Sequence, residues 1–264
     1  MPVNIDGCAL RRALAEGRPA LGVQMVMPSA HVARVVASVP GLTYVLIDLE
    51  HGGLADSEMH AAIHAIAPFG VSPIVRLPSG EPWMIKRALD AGAHGIAIPM
   101  VSTPEEAAAV ASAARFPPRG TRGFGSTYSR DAFGWLSDDE YRQKANDEII
   151  VAVMIETRQG FENAEAIINT PGIDVIIVGD TDLCLSMGYE LNPQNPPKEV
   201  IDAGAHISTL AKAAGKWQGG RIRPSTGGVR EMMSRGIQMI GVALDAWTLR
   251  DSLTAAVKEA QKAS

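Results

Sequence analysis

Short apolar runs that stop abruptly at charged positions recur along this chain, and segments of helical periodicity separate them. The sharpest is Val45-Leu46-Ile47-Asp48-Leu49-Glu50-His51-Gly52-Gly53, a hydrophobic stretch ending in three ionisable residues and two glycines. A strand covered on both faces reads as a continuous apolar run. Two carboxylates and an imidazole at its end are costly to bury unless paired or used. In chain order, residues 10–16 read as a short helix and 20–26 as a strand. Ser29 then serves as the N-cap of a helix to residue 39. After the Asp48 strand, Asp56 caps a helix to about residue 68, and 72–77 form the third strand. A helix over 82–91 is stopped by Gly92, and 95–99 give the fourth strand. Thr103-Pro104 opens an alanine-rich helix with proline in its first turn. Residues 115–147 read as irregular. Strand 148–155, helix 160–169 and strand 174–178 follow. A loop over 179–197 leads to a helix through 214. Strand, helix, strand and helix then fall over 216–222, 227–235, 238–243 and 246–262.

Eight strand–helix units imply parallel strands, because each crossover needs a helix. At this length they fit a single-domain (β/α)8 TIM barrel spanning residues 1–264. The alternative, a doubly wound open sheet, usually carries a glycine-rich phosphate turn after its first strand. Here that turn is Met27-Pro28-Ser29.

Composition narrows the partners. With 24 basic and 29 acidic residues the net charge is -5, and no basic run is present to engage phosphates, so nucleic acid is not an expected partner. No apolar run reaches the ~18 residues that span a bilayer. The first residues lack a basic region followed by an apolar core, which predicts no secretory signal. Cys8 and Cys184 lie far apart without metal-type spacing, so a reducing cytoplasmic compartment is the expectation.

A barrel places its chemistry at the carboxyl ends of its strands. Those ends read Gln24; Asp48, Glu50 and His51; Arg76; Glu156; Gly179-Asp180-Thr181-Asp182; and Arg221 with Arg223. Glu156 and Asp182 stand 26 residues apart, about one βα unit. Two carboxylates converging at neighbouring strand ends suit a hard divalent cation, Mg²⁺ or Mn²⁺, with water and substrate completing its shell. The bland alternative is a pair of loop acids facing solvent or capping the next helices. Arg76 offers a planar fork to an enolate, carboxylate or ketone oxygen; its alternative is an internal salt bridge with Asp48. His51 is the natural acid–base group, with Asp48 placed to fix its tautomer, or else a surface histidine on a glycine loop. His60 and His64 share a helix face without a third ligand, and His94 falls at the opposite end of the barrel. No strand end is a lysine, which argues against Schiff-base chemistry.

Ile47-Asp48-Leu49-Glu50-His51-Gly52, Pro73-Ile74-Val75-Arg76, Gly92-Ala93-His94-Gly95-Ile96, Arg122-Gly123-Phe124-Gly125, Ile155-Glu156-Thr157 and Gly179-Asp180-Thr181-Asp182-Leu183 occur in order and spacing that resemble the HpcH/HpaI aldolase family. The resemblance covers roughly residues 20–250. It implies a metal-dependent, class II pyruvate aldolase on a (β/α)8 barrel, assembled as a homo-hexamer whose last helix is exchanged between subunits. It further implies that Glu156 and Asp182 bind the divalent metal (Mg²⁺ or Mn²⁺, with Co²⁺ as a further candidate). His51 with Asp48 would be the acid–base dyad, and Arg76 would hold the pyruvate keto oxygen. Gly179, Asp180, Thr181, Met154 and Gln24 would line the substrate site. The expected substrates are a small 2-oxo acid and an aldehyde. Oxaloacetate decarboxylation, joining of an enolate to an acceptor, and a barrel that binds a small acid without turnover are the other readings. The chain departs from the family at Asp180, where a proline is usual, at Met154, where glutamine is frequent, and at Gln24, where tryptophan is common.

Overall fold

A computed structural model of the protein describes residues 7–135, 137–192, 194–222 and 228–262. Eight parallel strands close into one barrel in sequence order: β1 (Ala20–Met25), β2 (Tyr44–Asp48), β3 (Ser72–Arg76), β4 (Gly95–Ile98), β5 (Ile150–Ile155), β6 (Val175–Val178), β7 (Trp217–Arg221) and β8 (Met239–Leu244). The (β/α)8 barrel read from the alternation is therefore the fold. β3 and β5 are buried along their whole length, as apolar strands must be when side chains fill the barrel on one face and helices cover the other.

The outer layer is built from α2 (Ala30–Ala37), α3 (Asp56–Ile66), α4 (Pro82–Asp90), α5 (Pro104–Ala114), α8 (Arg158–Glu162), α9 (Ala164–Ile168), α11 (Lys198–Ala213), α12 (Val229–Ser234) and α13 (Asp245–Lys262). Capping follows the sequence where hydroxyls were available. Ser29 accepts from the Val32 N–H, and Thr103 and Glu106 form a reciprocal capping box. Asp56 is the first residue of α3 rather than its cap; Ala55 precedes it, and Glu58 takes the Ala55 N–H.

α1 (Ala9–Ala15) lies across the amino-terminal end of the barrel, with Leu10, Ala13 and Leu14 buried. The Ser72 hydroxyl, at the start of β3, accepts from the Leu10 N–H. Arg11 reaches the Ile149 carbonyl and the Asp174 carboxylate, just before β5 and β6. His94 belongs to this end, as its position before strand four implies. Its ring is buried between the Ser72 hydroxyl and the Ala132 carbonyl, and burial pulls its pKa down to about 4.

Three segments differ from the expected pattern. The stretch 115–147 is not irregular throughout: it contains α6 (Ser129–Ala132) and α7 (Asp138–Glu148), so residue 148 ends a helix instead of beginning β5. The expected loop after β6 opens with α10 (Asp180–Ser186), and the expected helix over 160–169 is the pair α8 and α9. Among the described residues no helix is long and apolar enough to cross a membrane.

Candidate active site

β2 and β3 end side by side, with Asp48 paired to Arg76 in the register. Arg76 donates from Nε to Asp48 Oδ1 at 2.9 Å and from Nη2 to Oδ2 at 2.5 Å. Gln24, from β1, donates to Oδ2 at 2.7 Å, and the N–H groups of Glu50 and His51 donate to Oδ1 at 3.1 and 3.2 Å. The internal salt bridge considered for Arg76 is thus present. Asp48 is fully buried, and burial by itself pushes a carboxyl upward. The Arg76 hydrogen bonds and charge, with Gln24 and the His51 N–H, outweigh it and hold Asp48 below the usual range. Burial likewise opposes the Arg76 cation, but Asp48, Glu50 and Glu156 more than compensate and keep it charged.

The turn after β2 carries the remaining polar groups. Gly52 passes so close to the Asp48 carbonyl that any Cβ there would collide with it. This brings His51 out at the barrel mouth, its side chain 63% exposed. Asp48 meets His51 at the backbone N–H; the His51 ring instead faces Glu50, with Nε2 at 3.6 Å from Glu50 Oε2. The same Glu50 oxygen lies 3.2 Å from Arg76 Nη1. Glu50 was visible as a strand-end acid, two residues beyond Asp48, yet its place between Arg76 and His51 depends on the neighbouring strand. Burial raises its pKa; Arg76 and His51 pull it down, and Asp48 and Asp182 push it up.

Glu156 follows β5 and turns inward, 3% exposed. The cap of α8 is made by the Thr157 hydroxyl, which accepts from the Gly160 N–H, so Glu156 is not spent on capping. Its Oε1 accepts from the Met100 N–H at 2.7 Å. Met100 holds that N–H in place from the left-handed region, φ 58°, which a non-glycine residue adopts only where its surroundings impose it. Burial lifts Glu156 to about 6; the Met100 N–H opposes this, the charges of Glu50 and Asp182 add to it, and Arg76 subtracts.

Gly179 approaches Glu156 so closely that a Cβ would overlap the carboxylate oxygen Oε2. Asp180, Thr181 and Asp182 form the first turn of α10, with Asp182 exposed. Both acids therefore also suit a helix start. Met154 is buried in β5, two residues before Glu156. At the end of β7 the Arg221 guanidinium stacks 4.8 Å over the Trp247 ring of α13. Arg223 lies outside the described residues.

Among the described residues no three His, Cys, Asp or Glu side chains are grouped as a ready metal cage. The donor chemistry still fits a hard divalent ion. Glu156 is a buried carboxylate destabilised by two acidic neighbours, so a cation held between it and Asp182 would relieve that repulsion.

The model of the HpcH/HpaI aldolase/citrate lyase family matches residues 27–252. The chain is 37% identical over 211 residues to 4-hydroxy-2-oxo-heptane-1,7-dioate aldolase of Shigella flexneri, covering 80% of this chain and 78% of that one. It is 38% identical over 220 residues to hydroxypyruvate/pyruvate aldolase of Cupriavidus necator, covering 81% and 79%. Among solved structures, macrophomate synthase superposes with a TM-score of 0.86 at 29% identity, over 97% of this chain and 88% of that one. On the barrel and these matches, the chain belongs to the HpcH/HpaI aldolase/citrate lyase family.

Proposed function

We propose that this protein is a divalent-metal pyruvate aldolase that reversibly cleaves a 4-hydroxy-2-oxo acid to pyruvate and an aldehyde. The observation that carries this reading is a buried, doubly anchored guanidinium, Arg76, sharing the mouth of one barrel with the buried Glu156 carboxylate and the exposed His51 imidazole. One relative is named 4-hydroxy-2-oxo-heptane-1,7-dioate aldolase and another hydroxypyruvate/pyruvate aldolase, which supports the reading.

Cleavage requires loss of the C4 hydroxyl proton and stabilisation of the enolate that departs as pyruvate. His51, exposed at the barrel mouth, would accept that proton as general base. Arg76 presents fixed positive charge to the developing enolate oxygen; Asp48 holds the fork in orientation and costs no reorganisation during the reaction. Glu156 and Asp182 would hold the divalent ion, magnesium, manganese or cobalt, which when bound supplies Lewis-acid charge to the same oxygen. Gly179, Asp180, Thr181, Met154 and Gln24 would line the substrate, and Gln24 also donates to Asp48. None of the eight described strands ends in lysine, so no Schiff base is called for.

The assembly expected from the family resemblance is a homo-hexamer with α13 exchanged between subunits, and the exposed face of α13 supports association. Of its 18 residues only Asp245 is buried, while Trp247, Leu249, Leu253 and Val257 are about half exposed. An apolar helix face of this extent calls for a partner surface.

The test is pyruvate release from 4-hydroxy-2-oxoheptanedioate and from oxaloacetate, with and without Mn²⁺. Metal-dependent cleavage of the first, abolished by EDTA, supports the aldolase. Release from oxaloacetate alone favours decarboxylation, and pyruvate binding without turnover under every metal identifies a non-catalytic barrel.

A further inference from the structure

Successive side chains of a strand point to opposite faces, which settles where Arg221 of β7 is aimed. Gln218 donates to the Ser208 carbonyl of α11, and a Cβ at Gly220 would meet Met232 of α12, so both positions face the helices. Gly219 and Arg221 therefore face the barrel interior. The neighbouring strand agrees: Val178 lies toward Gly204 of α11, so Ile177 points inward, and it is Ile177 that a Cβ at Gly219 would strike. The register partner of Arg221 is Gly241, whose missing side chain leaves room for the arginine stem. β7 is four strands from β3 in a closed barrel of eight, so Arg221 and Arg76 stand on opposite walls of one mouth. Strands ~4.8 Å apart and tilted ~36° make such a barrel roughly 15 Å across between opposite backbones. Two arginine side chains reaching inward shorten that span to one a short-chain diacid can bridge.

Arg221 is also held in place. Its guanidinium stacks 4.8 Å over the Trp247 ring. Trp247 lies in the first turn of α13, which is pinned to the end of β1: Asp245 accepts from the Val26 and Met27 N–H groups at 3.0 and 3.1 Å. A guanidinium held by its face keeps its N–H groups in the plane, the geometry that suits a carboxylate. Asp180 and Asp182, at the end of the adjacent β6, repel an anion, so one that binds on this side of the mouth needs a dedicated cation. We propose that Arg221 is a specificity-determining residue: it binds an anionic group at the far end of the 2-oxo acid, on the aldehyde fragment. The substrate then spans the mouth between two guanidinium groups, its 2-oxo end at Arg76. The inference rests on the aldolase reading for the fate of that acid; the placement of Arg221 opposite Arg76 stands on the register and topology.

The test uses the full chain with Mn²⁺ and compares wild type, Arg221→Gln and Arg221→Lys. Three rates are measured: cleavage of 4-hydroxy-2-oxoheptanedioate, which ends in a carboxylate; cleavage of 4-hydroxy-2-oxoheptanoate, which ends in a methyl group; and hydrogen–deuterium exchange at the pyruvate methyl, which reports enolate formation. Arg221→Gln should lower kcat/KM for the diacid at least tenfold, mainly through KM, and leave the monoacid and the exchange within about twofold. Arg221→Lys keeps the charge and should recover part of the loss. Equal loss on both acids, loss of exchange, or unchanged diacid cleavage overturns the proposal. A second arm needs no turnover: calorimetry with 2-oxoheptanedioate and 2-oxoheptanoate, which lack the C4 hydroxyl. Wild type should bind the diacid at least tenfold more tightly, and Arg221→Gln should erase that preference. No preference in wild type, or a preference kept in Arg221→Gln, overturns the proposal. A preference that Arg221→Gln erases, in a wild-type protein that neither exchanges nor cleaves, upholds the role of Arg221 and rejects the aldolase reading.

Discussion

Arg76 meets Asp48 at the register position where β2 and β3 both end, and it binds both carboxylate oxygens. Removing one partner of a buried pair leaves an uncompensated charge, which costs about 3–5 kcal/mol. Arg76→Ala should therefore unfold at lower temperature as well as lose activity, so Arg76→Lys is the informative variant. It keeps the charge and loses the fork. Pyruvate methyl exchange should fall by at least tenfold in Arg76→Lys, whereas His51→Ala should impair aldol cleavage more than exchange. Equal losses in both assays for both variants would show that the two roles are not separable.

Glu156 makes a prediction about pH. Its folded pKa near 6 lies above the ~4.3 of an unfolded glutamate, so in metal-free protein its charge opposes folding at neutral pH by about 2 kcal/mol. That cost is complete above pH 6 and is relieved as pH falls toward the unfolded value. Glu156→Gln should raise the metal-free Tm at pH 8 by roughly 4–8 °C and flatten its change between pH 4.5 and 7. It should also abolish Mn²⁺ binding in calorimetry and metal-dependent turnover, as should Asp182→Ala. A Glu156→Gln protein that binds Mn²⁺ like wild type removes Glu156 from the metal site.

Asp180 occupies the first turn of α10, among the residues that the family resemblance implies line the site of the 2-oxo acid. Like-charge repulsion at ~6 Å, at an effective dielectric near 20, is large enough to weaken an anion by about one power of ten after screening. Asp180→Asn should tighten pyruvate by about that factor, read by calorimetry. Weaker binding would mean that Asp180 supports the site.

α13 predicts the assembly. Leu253→Asp with Val257→Asp should convert the proposed oligomer to smaller species in light scattering, with the barrel's circular dichroism retained. An unchanged mass would place the subunit contacts elsewhere.

The sequence made the barrel legible because β2, β3 and β5 are uninterrupted apolar runs, and Asp48, Arg76 and Glu156 stood out where those runs stop. α7 was not legible from periodicity, since only Tyr141 and Ala145 face the core in an otherwise charged segment. Ser137 and the acids after it were the available signal: its hydroxyl caps the helix by accepting from the Glu140 N–H. α10 was hidden by brevity, with just Leu183 and Cys184 buried. The partnership of Glu50 was unreadable for another reason. Distance along the chain says nothing of which acid faces the His51 ring, because the answer depends on Arg76, brought alongside only when β3 docks on β2.

Gly179 carries one more consequence. Its φ of -88° is open to every residue, so no conformational rule demands glycine there. The demand comes from Glu156, whose carboxylate fills the volume a methyl group would need. In a saturation library scored for both abundance and activity, position 179 should therefore divide the two readouts. Alanine would meet not only the carboxylate but also the Glu156 Cβ, 2.6 Å away and fixed to its backbone, so each survivor would be a barrel whose strand ends have shifted apart and whose acid has lost its position.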